Sequence, residues 1–438
     1  MLTRRTLIAS MGALAAGCGG FDFSIPGLRP PQQVPLTWVS RPYTGLINEL
    51  ASLSFEQKLL RIVQELAADT ESPFGPTSGH YRLFLRYVER YAGPYSDPNA
   101  EQFRDFEVLM EWLGELEADL VTLWPDEIRA LGEMGVLLPL DRFGGVDGAD
   151  FEKEFYASVL DPFRANGALY ALPTDAFPLM LFYDADYFAQ MGVASPDETW
   201  DWDTLVENAL KLTQREEDGT VSRWGLTTHQ NFLPWWALWQ NEAEMADALT
   251  LQCRLQEPAA IEALAFFHGL MHSHGVSPTE FDMDLWRLIG DPASSPPAIL
   301  YDTFYFAGSR FNYRRATLPQ GKVHSVPMET QIGIAIVAQT GNPDEAYAAL
   351  RGLVHTMRPY VNVPSEREAV ARLGQIRTDL LQDEVTAIQH AMEHARLVPS
   401  DVAQSRAMYS LAEALVRGDE VASAVNHACS VLYENQRV

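Results

Sequence analysis

Cysteine is nearly absent: three residues in 438, one of them at position 18. That excludes a disulfide framework and a paired-cysteine metal site. Cys253 and Cys429 lie far apart, and nothing in their spacing demands a bond, so both are expected to be free thiols. Positive charge is scarce as well. The 32 basic residues face 59 acidic ones, a formal net charge of −27, which disfavours nucleic acid and anionic lipid surfaces and weighs mildly against an anionic ligand. A phosphate-cradling glycine loop, a Gly-x-Ser-x-Gly nucleophile turn and a His-Glu-x-x-His helix are all missing. Internal repeats and low-complexity tracts are missing too.

What remains is 47% hydrophobic and 21% charged, ordinary for a globular chain with room for two or three domains. The first residues read as processing information. Arg4-Arg5 followed by an apolar run from Leu7 to Ala16 has the form of a twin-arginine export signal, and that run is too short to span a bilayer. Ala15-Ala16-Gly17-Cys18 resembles a bacterial lipobox, with Ala15 where Leu is commoner, so cleavage after residue 17 and a thioether lipid on Cys18 are expected. From residue 18 to 34 the chain is rich in Gly and Pro and reads as a tether.

Strands and helices then alternate. Leu36 to Val39 is a short strand, Phe55, Leu59, Ile62, Val63 and Leu66 form one helical face, and Tyr81 to Tyr87 alternates as a second strand. A helix is expected over roughly Glu101 to Leu116. The continuous apolar run from Leu120 to Trp124 suits a strand buried on both faces. Pro125-Asp126-Glu127 starts a helix that Gly135 closes. This order predicts a doubly wound sheet, whose ligands sit beyond the carboxyl ends of the strands, and so places Trp38, Ser40, Trp124 and Asp126 at the cleft. Trp124 as a plain packing residue is the competing reading.

The most informative stretch runs from Gly167 to Gly192. Two short apolar strands, Leu169 to Leu172 and Leu179 to Tyr183, flank a Pro-bounded turn that carries Asp175 and Phe177. Tyr187, Phe188 and Met191 then repeat at helical spacing, and Gly192 stops the helix. Further on, Trp235, Trp236 and Trp239 follow Pro234 in the densest aromatic cluster. A sugar site needs flat rings beside carboxylates and amides, so Trp235 and Trp236 are candidates, with burial in a core as the alternative. His268 and His272 lie one helical turn apart without the zinc-hydrolase acid between them, and read as a solvated face.

Gly167-x-Leu169-Tyr170-x-Leu172-Pro173, the acidic turn, Pro178-Leu179, Phe182-Tyr183-Asp184 and Thr199-Trp200-Asp201 resemble the extracellular solute-binding proteins of ATP-binding cassette importers, most closely the large sugar-binding branch. Leu138-Pro139-Leu140-Asp141, Gly275-Val276-Ser277-Pro278 and Asn342-Pro343 follow the same pattern. The resemblance implies an α/β fold of the periplasmic-binding-protein type, with two lobes, a multi-crossing hinge and a ligand cleft between them. It implies a first lobe of 35–165 and 297–333 and a second of 166–296 and 334–438, with crossings near Asn166, Ser295 and Gly333 and a helical remainder to Val438. Tyr305 stands where the family often stacks a Trp on solute. Glu329 and Gln331 lie on the strand that returns across the hinge, where the usual paired glycines are absent.

The expected function is an extracytoplasmic, lipid-anchored receptor that delivers a mono- or oligosaccharide to a membrane permease by hinge closure. No cofactor, metal, catalytic residue or nucleic-acid partner is expected. The alternatives are the same fold binding a polyamine, metal or other small cation, and a secreted glycoside hydrolase using Asp126 and Asp175 as its carboxylate pair.

Overall fold

The computed structural model describes residues 33–40, 55–69, 81–87, 113–115, 117–146, 149–228, 233–247, 250–279, 295–303, 312–329, 332–399 and 401–435. Cys18, Tyr305, Gln331 and most of the expected helix over 101–116 lie outside the described residues.

The first sheet has five strands, in the order Tyr81–Tyr87, Val34–Ser40, Leu120–Leu123, Gly333–Ile336, Ala171–Pro173. The first three are parallel, and Gly333–Ile336 runs antiparallel to both of its neighbours. Leu120–Leu123 is buried at every residue, as its unbroken apolar run requires. Helix Phe55–Ala68 turns Leu59, Ile62 and Leu66 into the core. Helix Pro343–Met357 packs beside it and over the strand Gly333–Ile336.

Two further sheets form the second half. One runs Leu226–Thr228, Ile299–Asp302, Met180–Asp184, Tyr313–Ala316, and the other Val363–Pro364, Asp175–Pro178, Val326–Glu329, Ala395–Leu397. They are continuous through Leu179, which joins Asp175–Pro178 to Met180–Asp184. Helix Ala185–Met191 follows, N-capped by the Asp184 side chain and ended by Gly192 in the left-handed region at φ 68°.

The strand pairings differ from the expected segment assignment. Ile299–Asp302 and Tyr313–Ala316 pair with Met180–Asp184, and Val326–Glu329 pairs with Asp175–Pro178, so most of 297–333 belongs with the second half. Conversely, Ala171–Pro173 and Gly333–Ile336 complete the first sheet. A short buried strand reads alike in either sheet, and only the open edge it meets decides its partner. The C-terminal portion is largely helical, with Gln382–Glu393, Val402–Arg417 and Val421–Asn435, but it also supplies the short strands Val363–Pro364 and Ala395–Leu397.

The free-thiol expectation is overturned. Cys253 and Cys429 form a disulfide across 176 residues of sequence, with Cα atoms 5.6 Å apart. Helix Pro258–His272 packs on helix Val421–Asn435 and brings the two cysteines together, a proximity that spacing does not reveal. His272 stays exposed, in keeping with the solvated-face reading, while its Nε2 lies 2.9 Å from the Leu415 carbonyl oxygen on helix Val402–Arg417.

Candidate functional site at the interlobe crossings

The register of the first sheet aligns its strand ends. Trp38 is level with Leu120 and Val39 with Val121, while Gly333 sits opposite both Leu123 and Pro173. Ser40, Trp124 and Thr174 therefore mark one edge of the sheet, the carboxyl edge of three strands. The chain passes between this edge and the other sheets three times: outward between Pro173 and Asp175, back between Glu329 and Gly333, and outward again between Met357 and Val363. Gly333 allows this crowding, because a Cβ there would stand 2.8 Å from the Phe163 ring and 3.0 Å from the Ala171 methyl.

The crossings are tied to each other. The Ser365 hydroxyl donates to the Pro173 carbonyl at 2.7 Å, and the Tyr360 hydroxyl donates to the Glu65 carboxylate on helix Phe55–Ala68. Buried Arg377 forks onto Asp379 and donates to the carbonyls of Val361 and Asn362 at 3.0 and 3.3 Å. Asn362 in turn donates to the Thr303 carbonyl at 2.7 Å and accepts from Arg315 at 3.2 Å. The Asp302 carboxylate accepts from the backbone N–H of Thr303 at 2.6 Å. Asp302, Thr303, Arg315 and Asn362 are all buried. Sequence reasoning overlooked these four; Asp302 and Thr303, which close the apolar run Ala298 to Tyr301, offered a weak signal, and Arg315 and Asn362 offered none.

Asp175 stands at the first crossing with no exposure, and neither carboxylate oxygen has a hydrogen-bond partner. Burial holds its carboxyl well above the usual carboxylate range. Ser40 Oγ and Thr174 Oγ1 are also buried without partners. Glu329 pairs opposite Phe177 at the second crossing. Its carboxyl is pushed up to about 7, first by desolvation and then by the Asp302 carboxylate. An acid whose folded value is raised adds stability below its unfolded value, and that stability is lost as pH rises through the folded value. The unfolding midpoint is therefore expected to fall between about pH 4.5 and 7, and Glu329→Gln to flatten that part of the profile. Equal slopes in thermal melts of the two proteins would count against this account.

The other sequence candidates are distributed differently. Trp38 is wholly buried and donates through Nε1 to Thr122 Oγ1 at 3.0 Å, inside the first sheet's core. Trp124 is 8% exposed at the sheet edge, and its backbone N–H is capped by Glu127 at 2.9 Å. Asp126 faces solvent beside Arg129. Phe177 is wholly buried. Trp235 stacks obliquely on Trp239 with centroids 5.2 Å apart, and Trp236 is enclosed by Trp202, Phe266, Phe267 and Tyr301. These rings sit in the second half's core. The structure thus gathers Ser40, Trp124, Asp175 and Glu329 at the crossings, and leaves Trp38, Asp126, Trp235 and Trp236 elsewhere. Among the described residues, no group of three His, Cys, Asp or Glu is arranged to hold a metal ion.

Sheet-and-helix halves joined by three crossings, with strand ends facing the junction, define a two-lobed α/β protein of the periplasmic-binding type. Residues 113–257 match the family model described as bacterial extracellular solute-binding protein. Solved structures agree over nearly the whole chain. An ABC substrate-binding protein of Listeria monocytogenes, in complex with cycloalternan, is 14% identical with a TM-score of 0.65, covering 92% of this chain and 99% of its own. The cyclic α-maltosyl-1,6-maltose binding protein of Arthrobacter globiformis is 15% identical with a TM-score of 0.65, again over 92% and 99%. UgpB of Mycobacterium tuberculosis, in complex with glycerophosphocholine, is 18% identical with a TM-score of 0.61 over 93% and 99%. At these identities the likeness is one of fold. The chain is similar to the extracellular solute-binding proteins in sequence over 113–257 and in architecture throughout. Among the described residues, no helix is long and apolar enough to cross a membrane.

Proposed function

We propose that this protein is the extracytoplasmic receptor of an ATP-binding cassette importer, that it takes a carbohydrate between its lobes, and that hinge closure presents the loaded form to the permease. One observation carries the site. Three buried polar side chains at the crossings, Ser40, Thr174 and Asp175, have no hydrogen-bond partner, and such groups are costly unless a ligand or water completes them. A polyhydroxylated solute supplies donors and acceptors of that kind, and Trp124 at the sheet edge offers a ring for an apolar sugar face. Two of the similar structures are named for, or hold, cyclic oligosaccharides.

In this reading the first lobe comprises 34–173 and 332–360, and the second 174–331 and 361–435. Cys18 carries the lipid that anchors the receptor. Asp126, exposed and paired with Arg129, is poorly suited to act with Asp175 as a hydrolase's acid and nucleophile, so binding rather than turnover is the role assigned.

Thermal unfolding with a panel of maltose-type and cyclic oligosaccharides tests this. A bound sugar at about 100 times its dissociation constant adds about 2.7 kcal/mol, which moves the midpoint by several degrees. The shift should shrink in Trp124→Ala, and membrane retention should be lost in Cys18→Ser. No shift with any saccharide would sink the carbohydrate assignment.

A further inference from the structure

Asp175 and Glu329 belong to different crossings but to one surface. Strand Asp175–Pro178 pairs antiparallel with Val326–Glu329, with Glu329 opposite Phe177. Residues two apart on a strand share a face, so Asp175, Phe177 and Glu329 project together. The two carboxyl groups are diagonal neighbours, with Cβ atoms on the order of 7 Å apart. Asp302, buried at the end of Ile299–Asp302, adds a third carboxylate whose charge acts on Glu329.

Nothing the described residues offer neutralises the two crossing acids. Asp175 has no partner on either carboxylate oxygen, and no side-chain hydrogen bond or ion pair among the described residues reaches the Glu329 carboxylate. Arg315 and Arg377, buried cations of this region, donate to Asn362, Val361 and Asp379. A sugar hydroxyl can donate to one carboxylate oxygen, but it cannot offset two adjacent acids. An ammonium group can, because its full positive charge favours the ionised form of both carboxyls and its three donors then meet four acceptor oxygens. Phe177, on the same face, is fully buried and gives the site an apolar floor that strengthens such a pairing.

We propose that Asp175 and Glu329 form a subsite for an ammonium group, so that the solute is a carbohydrate bearing a protonated amine. This rests on reading the crossings as the solute cleft. The chain's net charge of −27 favours the approach of such a ligand.

The test compares glucosamine oligomers, two to six units long, with their N-acetylated counterparts, which keep the sugar and lose the charge. Spermidine is the third ligand, an amine without a sugar. Isothermal titration of the purified protein should give at least tenfold tighter binding for the glucosamine series than for the acetylated series. Asp175→Asn and Glu329→Gln, two independent and nearly isosteric changes, should each bring that ratio towards one. Equal affinity for the charged and acetylated series in the unaltered protein overturns the ammonium subsite and leaves the carbohydrate reading standing. Preference for the glucosamine series that survives both substitutions also overturns it. Spermidine binding alone, lost in Asp175→Asn, keeps the subsite and overturns the carbohydrate reading. No binding by any of the three overturns both.

Discussion

Trp236→Ala is expected to destabilise the protein by about 3–5 kcal/mol, the range for removing a large buried aromatic side chain. The ring is wholly buried. Tyr301 and Trp202 meet it in edge-on geometry at 5.0 and 6.1 Å, and Phe266 and Phe267 lie at 6.1 and 6.2 Å. Removing it leaves a cavity where helix Trp235–Gln240 meets helix Pro258–His272, two elements that the core holds together. Urea unfolding should show a lower midpoint with an unchanged slope. If stability held and only saccharide affinity fell, Trp236 would be a ligand platform and its core placement would be wrong.

Arg377→Ala is the second large effect, at about 3 kcal/mol. The guanidinium is 2% exposed and holds four partners: both oxygens of Asp379 at 2.8 Å, and the carbonyls of Val361 and Asn362. Its hydrogen bonds, and after them its charge, keep the Asp379 carboxyl below the usual range. Truncation strands two carbonyl oxygens of the third crossing and leaves the buried space empty, and each unmet partner costs on the order of 1–3 kcal/mol. Because Val361 and Asn362 belong to the segment that links the lobes, hydrogen exchange there should quicken more than in the first sheet. A uniform increase in exchange would show that Arg377 supports the fold as a whole and has no special hold on the crossing.

Much of the architecture was legible in residue order. The apolar run Leu120 to Leu123 announced a strand covered on both faces, the period-3.6 face of Leu59, Ile62 and Leu66 announced a helix, and Gly192 marked a stop. Each of these signals is local, set by backbone geometry and by which side of an element must leave water. The candidate site was legible only at Asp175, Ser40, Trp124 and Glu329, each beside a turn or a strand end. Asp302 and Asn362 gave little sign, because a polar residue in or beside an apolar run looks the same whether it caps, faces solvent or joins a buried network.

Non-local facts came from the tertiary structure alone. It joined Cys253 to Cys429, sent Ile299–Asp302 to one sheet and Gly333–Ile336 to another, and buried three tryptophans that composition alone would equally allow at a sugar site. The sequence by itself pointed to most helices and buried strands, the acidic balance of the chain and the two-lobed class, but it read Asp175–Pro178 as a turn and missed the strands Val363–Pro364 and Ala395–Leu397, which form only where a partner strand meets them. Which strands meet, which polar groups are stranded without partners and which rings are sealed from solvent were decided by packing, because those depend on what approaches from far along the chain.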